Sequence, residues 1–221
     1  MTKPLVVCTD VSRTFGTGTA AVVAVHGTSC TVPEDARIAI AGPSGSGKST
    51  LLHLMAGLER PTRGEVRHPG LPSGEAARIG VVFQSPSLVP ALDVAENTEL
   101  PLVIAGVERT ERERRVAEAL ELVDVAGLAA RLPEEISGGQ AQRVAVARVL
   151  AQRPRLILAD EPTGQLDHAA GRRLLDALLD AAGHLGAALV VATHDRAVVE
   201  RLDTRWAMHE GRLHTTAEVR S

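Results

Sequence analysis

Tyrosine is absent from this chain, and its only aromatic side chains are Phe15, Phe83 and Trp206. A core without aromatic bulk has to be built from Val, Leu, Ile and Ala. Cysteine is nearly absent too: Cys8 and Cys30 stand alone without CxxC spacing, which excludes a disulfide scaffold or a thiolate metal site and predicts two reduced thiols in a sheet. No apolar run approaches the ~18 residues of a membrane span. The opening stretch MTKPLVVCTDVSRTF lacks the long apolar segment and small-residue cleavage site of a signal peptide, so a cytoplasmic location is expected. Positive charge is not in excess: 24 Lys and Arg against 27 Asp and Glu leave a net charge of −3. No polycationic surface argues for nucleic acid, and no direct nucleic-acid binding is expected.

What remains is an ordinary globular composition over 221 residues, enough for one domain with a full core. The first third reads as strands at 5–12, 20–32 and 37–41, with the turn material GTGT and PED suited to antiparallel connections. Leu51, Leu54, Met55 and Leu58 have helical spacing, and Gly57 is a stop signal. A short strand is expected at 65–67 within mostly turn-like sequence over 61–77, and another strand at 78–83. The middle is helical. Thr110 and Glu113 form one capping-box pattern, and Ser137 and Gln140 form a second, before a helix that runs until Pro154. Strand 156–159, a helix near 169–182, strand 188–193 and a helix near 195–202 then alternate, which implies parallel strands. The expected domain organisation is a mainly antiparallel β region over 1–35, a parallel-sheet α/β core from 36–87 and 149–221, and an inserted helical lobe over 88–148.

GPSGSGKST at 42–50 fits the phosphate-binding P-loop in full, directly after a strand and opening a helix. Its glycines let backbone N–H groups turn inward, and a helix N-terminus adds positive potential. Gly42, Pro43, Ser44, Gly45, Ser46, Gly47 and Thr50 would line the cradle, Lys48 would reach the β- and γ-phosphates, and the Ser49 hydroxyl would ligate Mg²⁺. The apolar strand at 156–159 ends in Asp160 and Glu161. Asp160 is suited to hold Mg²⁺, and Glu161 to polarise an attacking water. Two more strands end in Gln84 and His194. Ligands of open α/β sheets gather at the carboxyl ends of strands, so Gln84 is a candidate for Mg²⁺ or the lytic water and His194 for the γ-phosphate.

ISGGQ at 136–140 is a second place suited to an anion, because Gly138 and Gly139 leave N–H groups unshielded at a helix start. The order GPSGSGKST, Gln84, ISGGQ, LILADEP, GQLD at 164–167 and His194 resembles the ATP-binding domain of ABC transporters over essentially the whole chain. VVFQSPSLVPALDVAENTELPLVIAG at 81–106 and DEPTGQLD at 160–167 resemble its lipoprotein-release and macrolide-export branch. The resemblance implies a P-loop NTPase fold and an ATP hydrolase with Mg²⁺. It also implies a second copy packed head to tail and a separate membrane permease, which would hold the protein peripherally on the cytoplasmic face of the membrane. Under it, Ser137, Gly138, Gly139 and Gln140 of one copy meet the γ-phosphate held by the other, Asp167 lies along that junction, and Phe15 stacks on adenine. Gln165, Ile136 and the VPEDARIAI turn depart mildly from the family pattern. A regulatory ATPase of the cell-division type, acting on a membrane partner, is the alternative within the family. A DNA-repair or chromosome ATPase is disfavoured, because about 90 residues without sustained heptads separate Gly47 from Ser137.

Overall fold

The computed structural model describes residues 3–71 and 79–215. The antiparallel part comprises β1 (Val6–Phe15), β2 (Val22–Val32) and β4 (Arg63–Arg67), in the order β2-β1-β4. The larger sheet contains β3 (Arg37–Ala41), β5 (Ile79–Val82), β6 (Leu156–Asp160), β7 (Ala188–Thr193), β8 (Thr204–His209) and β9 (Arg212–Thr215). Its order among the described residues is β5-β6-β7-β3-β8-β9, parallel from β5 to β8 with β9 antiparallel at the edge.

The central strands read as continuous apolar runs because both of their faces are covered. Leu156, Leu158, Val190, Ile38 and Ile40 point into one core, beneath α1 (Lys48–Met55) and the antiparallel sheet. Ile157, Ala159, Leu189, Val191 and Ala39 point into the other. That second core is covered by α4 (Gly138–Leu150) and α5 (His168–Leu185). Each fully buried Leu or Ile stabilises the fold by about 1.5–3 kcal/mol, so the sheet is anchored from both sides at the strands that carry the site. Between β5 and β6 lie α2 (Val94–Ile104), α3 (Arg109–Leu122) and α4, and no strand occurs there among the described residues. The short α6 (Arg196–Val199) follows β7.

Several local expectations hold and others are corrected. Gly57 does stop α1: at φ 73° its N–H bonds Leu54 O and the next N–H bonds His53 O, a Schellman closure. The helix ends at Met55, however, and Leu58 lies beyond it, exposed. β2 and β3 are not an antiparallel pair, because PED carries the chain from one sheet to the other. α3 is capped by Glu108 rather than Thr110; the Glu108 carboxylate accepts the Thr110 and Glu111 amides, and Glu113 instead pairs with Arg109. β1 continues to Phe15, three residues past its expected end. Arg78 and the turn-like stretch 72–77 fall outside the described residues. Cys8 and Cys30 are buried free thiols facing each other across β1 and β2.

Candidate nucleotide site

Four adjacent parallel strands, β5, β6, β7 and β3, present their carboxyl ends in a row about 4.8 Å apart. Each ends in or is followed by one part of the site: Gln84 after β5, Asp160 and then Glu161 at β6, Thr193 and then His194 at β7, and the loop beginning at Gly42 after β3. A cleft of ≈ 300 Å³ at this edge is lined by Ser44, Gly45, Gly47, Lys48, Ser49, Thr50, Gln84, Glu161 and His194, with Ala24 and Gly164 beside them.

The loop is shaped by close backbone approach. A Cβ on Gly47 would lie 2.2 Å from Ala24 O, and one on Gly42 would lie 2.1 Å from Met208 O, so neither position admits a side chain. Gly47 is the N-cap of α1 at φ 99°, and no side chain caps this helix start. The first amides of α1 therefore remain available to an anion. Lys48 is 6% exposed; its Nζ donates to Gly42 O at 2.9 Å and Pro43 O at 3.0 Å, and lies 3.8 Å from Glu161 Oε1. Ser46 is buried, and its carbonyl accepts the Gly211 amide, which ties the loop to the β8–β9 turn.

Glu161 stands at φ 44°, a left-handed conformation costing a non-glycine residue of order 1–3 kcal/mol. Its amide bonds Ala192 O on β7 and its carbonyl accepts the Gly164 amide. Its carboxylate is held from two sides: Thr193 Oγ1 donates to Oε2 at 3.1 Å, and His194 Nδ1 lies 2.8 Å from Oε1. A carboxylate only accepts, so the Nδ1 of His194 carries the proton in this bond. Thr193 is fully buried. Sequence reasoning passed over it, although a hydroxyl residue ending an apolar strand just before His194 was a readable signal.

Asp160 is 5% exposed, and its Oδ1 is buried without a hydrogen-bond partner. Burial, with the neighbouring Glu161 charge, pushes its carboxyl above the usual carboxylate range, while the Ser49 hydroxyl, His53 and Lys48 pull it partly back. A buried orphan carboxylate oxygen beside a serine hydroxyl is the hard-oxygen donor set that Mg²⁺ takes when phosphates supply further ligands. The residues present therefore fit that ion.

The remaining candidates lie outside this cleft. Ser137 caps α4: its Oγ accepts the Gln140 amide at 3.2 Å, and Gln140 Oε1 accepts the Ser137 amide at 2.8 Å. That closed box leaves the Gly138 and Gly139 amides for another partner. Asp167 caps α5 through the Ala169 and Ala170 amides, which hold its carboxyl below the usual range. It lines a neighbouring hollow of ≈ 550 Å³ together with Glu161 and His194. Phe15 is at the end of β1, 39% exposed, and also outside the cleft lining. Two further links were not legible beforehand. Gln165 Nε2 donates to Gln84 O at 3.4 Å, and the buried Gln142 of α4 donates to Phe83 O at 3.1 Å.

Comparison with known proteins agrees with this architecture. The family described as ABC transporter matches residues 25–164. An uncharacterized ABC transporter ATP-binding protein of Thermotoga maritima is 42% identical, over 96% of this chain and 94% of that protein. The lipoprotein-releasing system ATP-binding protein LolD of Legionella pneumophila is 37% identical, over 91% and 93% of the two chains. Among solved structures, the ATP-binding cassette MJ0796, a dimer in a post-hydrolysis state bound to ADP and Pi, superposes with a TM-score of 0.88. It is 34% identical and covers 98% of this chain and 99% of its own. With its P-loop NTPase fold, the chain belongs to the ABC transporter ATP-binding family and is an ATP hydrolase of that type.

Proposed function

We propose that this ATPase subunit drives a separate membrane permease by closing on ATP as a head-to-tail pair and reopening after hydrolysis. The observation that carries the reading is a separation within one chain. The P-loop cleft and the Ser137–Gln140 amide cradle both suit phosphate, yet the cradle contributes nothing to the lining of its own chain's cleft. A second copy facing the other way supplies it. The dimeric, ADP- and Pi-bound form of the related MJ0796 cassette supports this arrangement.

In this reading the loop 42–50 and the first amides of α1 bind the phosphates. Lys48 turns from the Gly42 and Pro43 carbonyls toward the β- and γ-phosphates. Glu161, fixed by Thr193 and His194, accepts a proton from water as that water attacks the γ-phosphate in line. Lys48 and the partner's Ser137–Gly139 amides stabilise the charge that develops. Ser49 and Asp160 would hold Mg²⁺ with Gln84 close by, and the ion would supply positive charge against that of the phosphates. His194 can serve Glu161 through Nδ1 and donate to the γ-phosphate through Nε2 at once only as the imidazolium, with both nitrogens protonated. Asp167 lies along the junction, and Phe15 is the nucleobase platform. Loss of the phosphate anion that bridges the halves lets them part.

The permease would dock on the helical lobe, 88–148, beside the Gln84 loop. Phe83, Val89, Val103 and Ile104 are exposed there, Ile104 to 79%. No helix among the described residues is long and apolar enough to cross a membrane, so attachment to the cytoplasmic face would run through that partner. Glu161→Gln tests the chemistry. It should bind ATP as the wild type does and lose about 10²–10⁴-fold in turnover, the contribution of a positioned general base. Normal turnover removes Glu161 from that role.

A further inference from the structure

The exposed Phe15 ring at the end of β1 is not bare. The Arg13 guanidinium lies over Phe15, 4.5 Å from the ring centroid. The two residues alternate along β1 and so share a face of the strand. Arg13 is fixed in turn by Glu59, just beyond α1, through an ion pair of 2.7 Å in which both side chains are largely covered. The Nε of Arg13 is buried with no hydrogen-bond partner.

Register puts this assembly beside the phosphate cradle. Phe15 pairs with Val22 on β2, and Ala24, two residues further along the same strand, lies against Gly47 and lines the cleft. Glu59 follows the same helix whose N-terminus forms the cradle. We propose that Arg13, held by Glu59, is a positioning residue for the nucleobase of ATP, backing Phe15 in a three-layer stack of guanidinium, ring and base. This rests on Phe15 being the base platform. The cation on one face draws π density toward itself. The opposite face becomes less negative and stacks better on an electron-rich purine. The ion pair also fixes the ring's orientation before the base arrives.

The test compares ATP with inorganic tripolyphosphate, each with Mg²⁺, by calorimetric titration. R13A should weaken ATP binding about three- to tenfold, as expected for loss of a partly desolvated cation–π contact, and leave tripolyphosphate within about twofold. E59Q should shift ATP in the same direction, and it supplies the readout if R13A does not fold. R13A/F15A should bind ATP no more weakly than F15A alone, since the backing acts only through the ring. The proposal is overturned if R13A binds ATP like the wild type, if it binds more tightly because the guanidinium had blocked the base's face, or if it loses tripolyphosphate equally. F15A separates the two layers of the argument. Wild-type ATP affinity in F15A overturns the platform reading itself, whereas weak binding in F15A with wild-type binding in R13A overturns only the backing role.

Discussion

Thr193 Oγ1 donates to Glu161 Oε2 at 3.1 Å and at the same time accepts the Asp195 amide at 3.0 Å. One buried hydroxyl thus joins the end of β6 to the start of α6 and fixes the carboxylate proposed as the base. Thr193→Val keeps the shape and removes the oxygen. Turnover should fall about ten- to a hundredfold, the rate equivalent of one hydrogen bond to a charged group. KM for ATP should not change, because the hydroxyl does not line the cleft. Thr193→Ser should restore most of the rate. A raised KM with normal kcat would place Thr193 in binding instead.

Asp160 should trade stability for ion binding. Burial raises its pKa in the folded state, so ionisation disfavours folding. The cost sets in as pH rises past the unfolded value near 3.9 and is complete above the folded pKa. Asp160→Asn should therefore raise the Tm at neutral pH, by about 2–4 °C for each kcal/mol relieved. The gain should shrink below about pH 4, and Mg²⁺-dependent hydrolysis should be lost. Thermal scans across pH, with Mg²⁺-dependent phosphate release, check both halves. A lower Tm at pH 7 contradicts the burial argument.

Lys48→Ala removes the donor to Gly42 O and Pro43 O and the cation beside Glu161. ATP affinity should drop by about 1.5–3 kcal/mol, the value of a hydrogen bond to a charged group. Unchanged affinity in equilibrium titration would count against a phosphate-binding role for this lysine.

The strands were legible where local pattern decides. β3, β6 and β7 are apolar runs because two cores claim alternate residues. The Ser137–Gln140 box is complete within four residues, and the structure forms it as the pattern implies. Failures arose where tertiary partners decide. Glu108 outcompetes Thr110 as a cap because its longer carboxylate reaches two amides. The break between β2 and β3 depends on β3 finding β7 and β8, more than 140 residues away in sequence. The candidate site shows the same division. Its residue types are written in contiguous motifs, whereas the Thr193–Glu161 bond and the Gln142–Phe83 tether join distant segments in ways no spacing rule encodes.

The claim on which the rest depends is that two copies share each nucleotide, and light scattering of Glu161→Gln with saturating ATP and Mg²⁺ tests it most directly. The variant should run at twice the monomer mass with ATP and as a monomer without it. Adding Ser137→Arg, which fills the second cradle, should abolish the dimer while the monomer's own P-loop still binds ATP, more weakly by the partner's lost contribution. A Glu161→Gln protein that stays monomeric when loaded, or a double variant that still doubles in mass, contradicts the account.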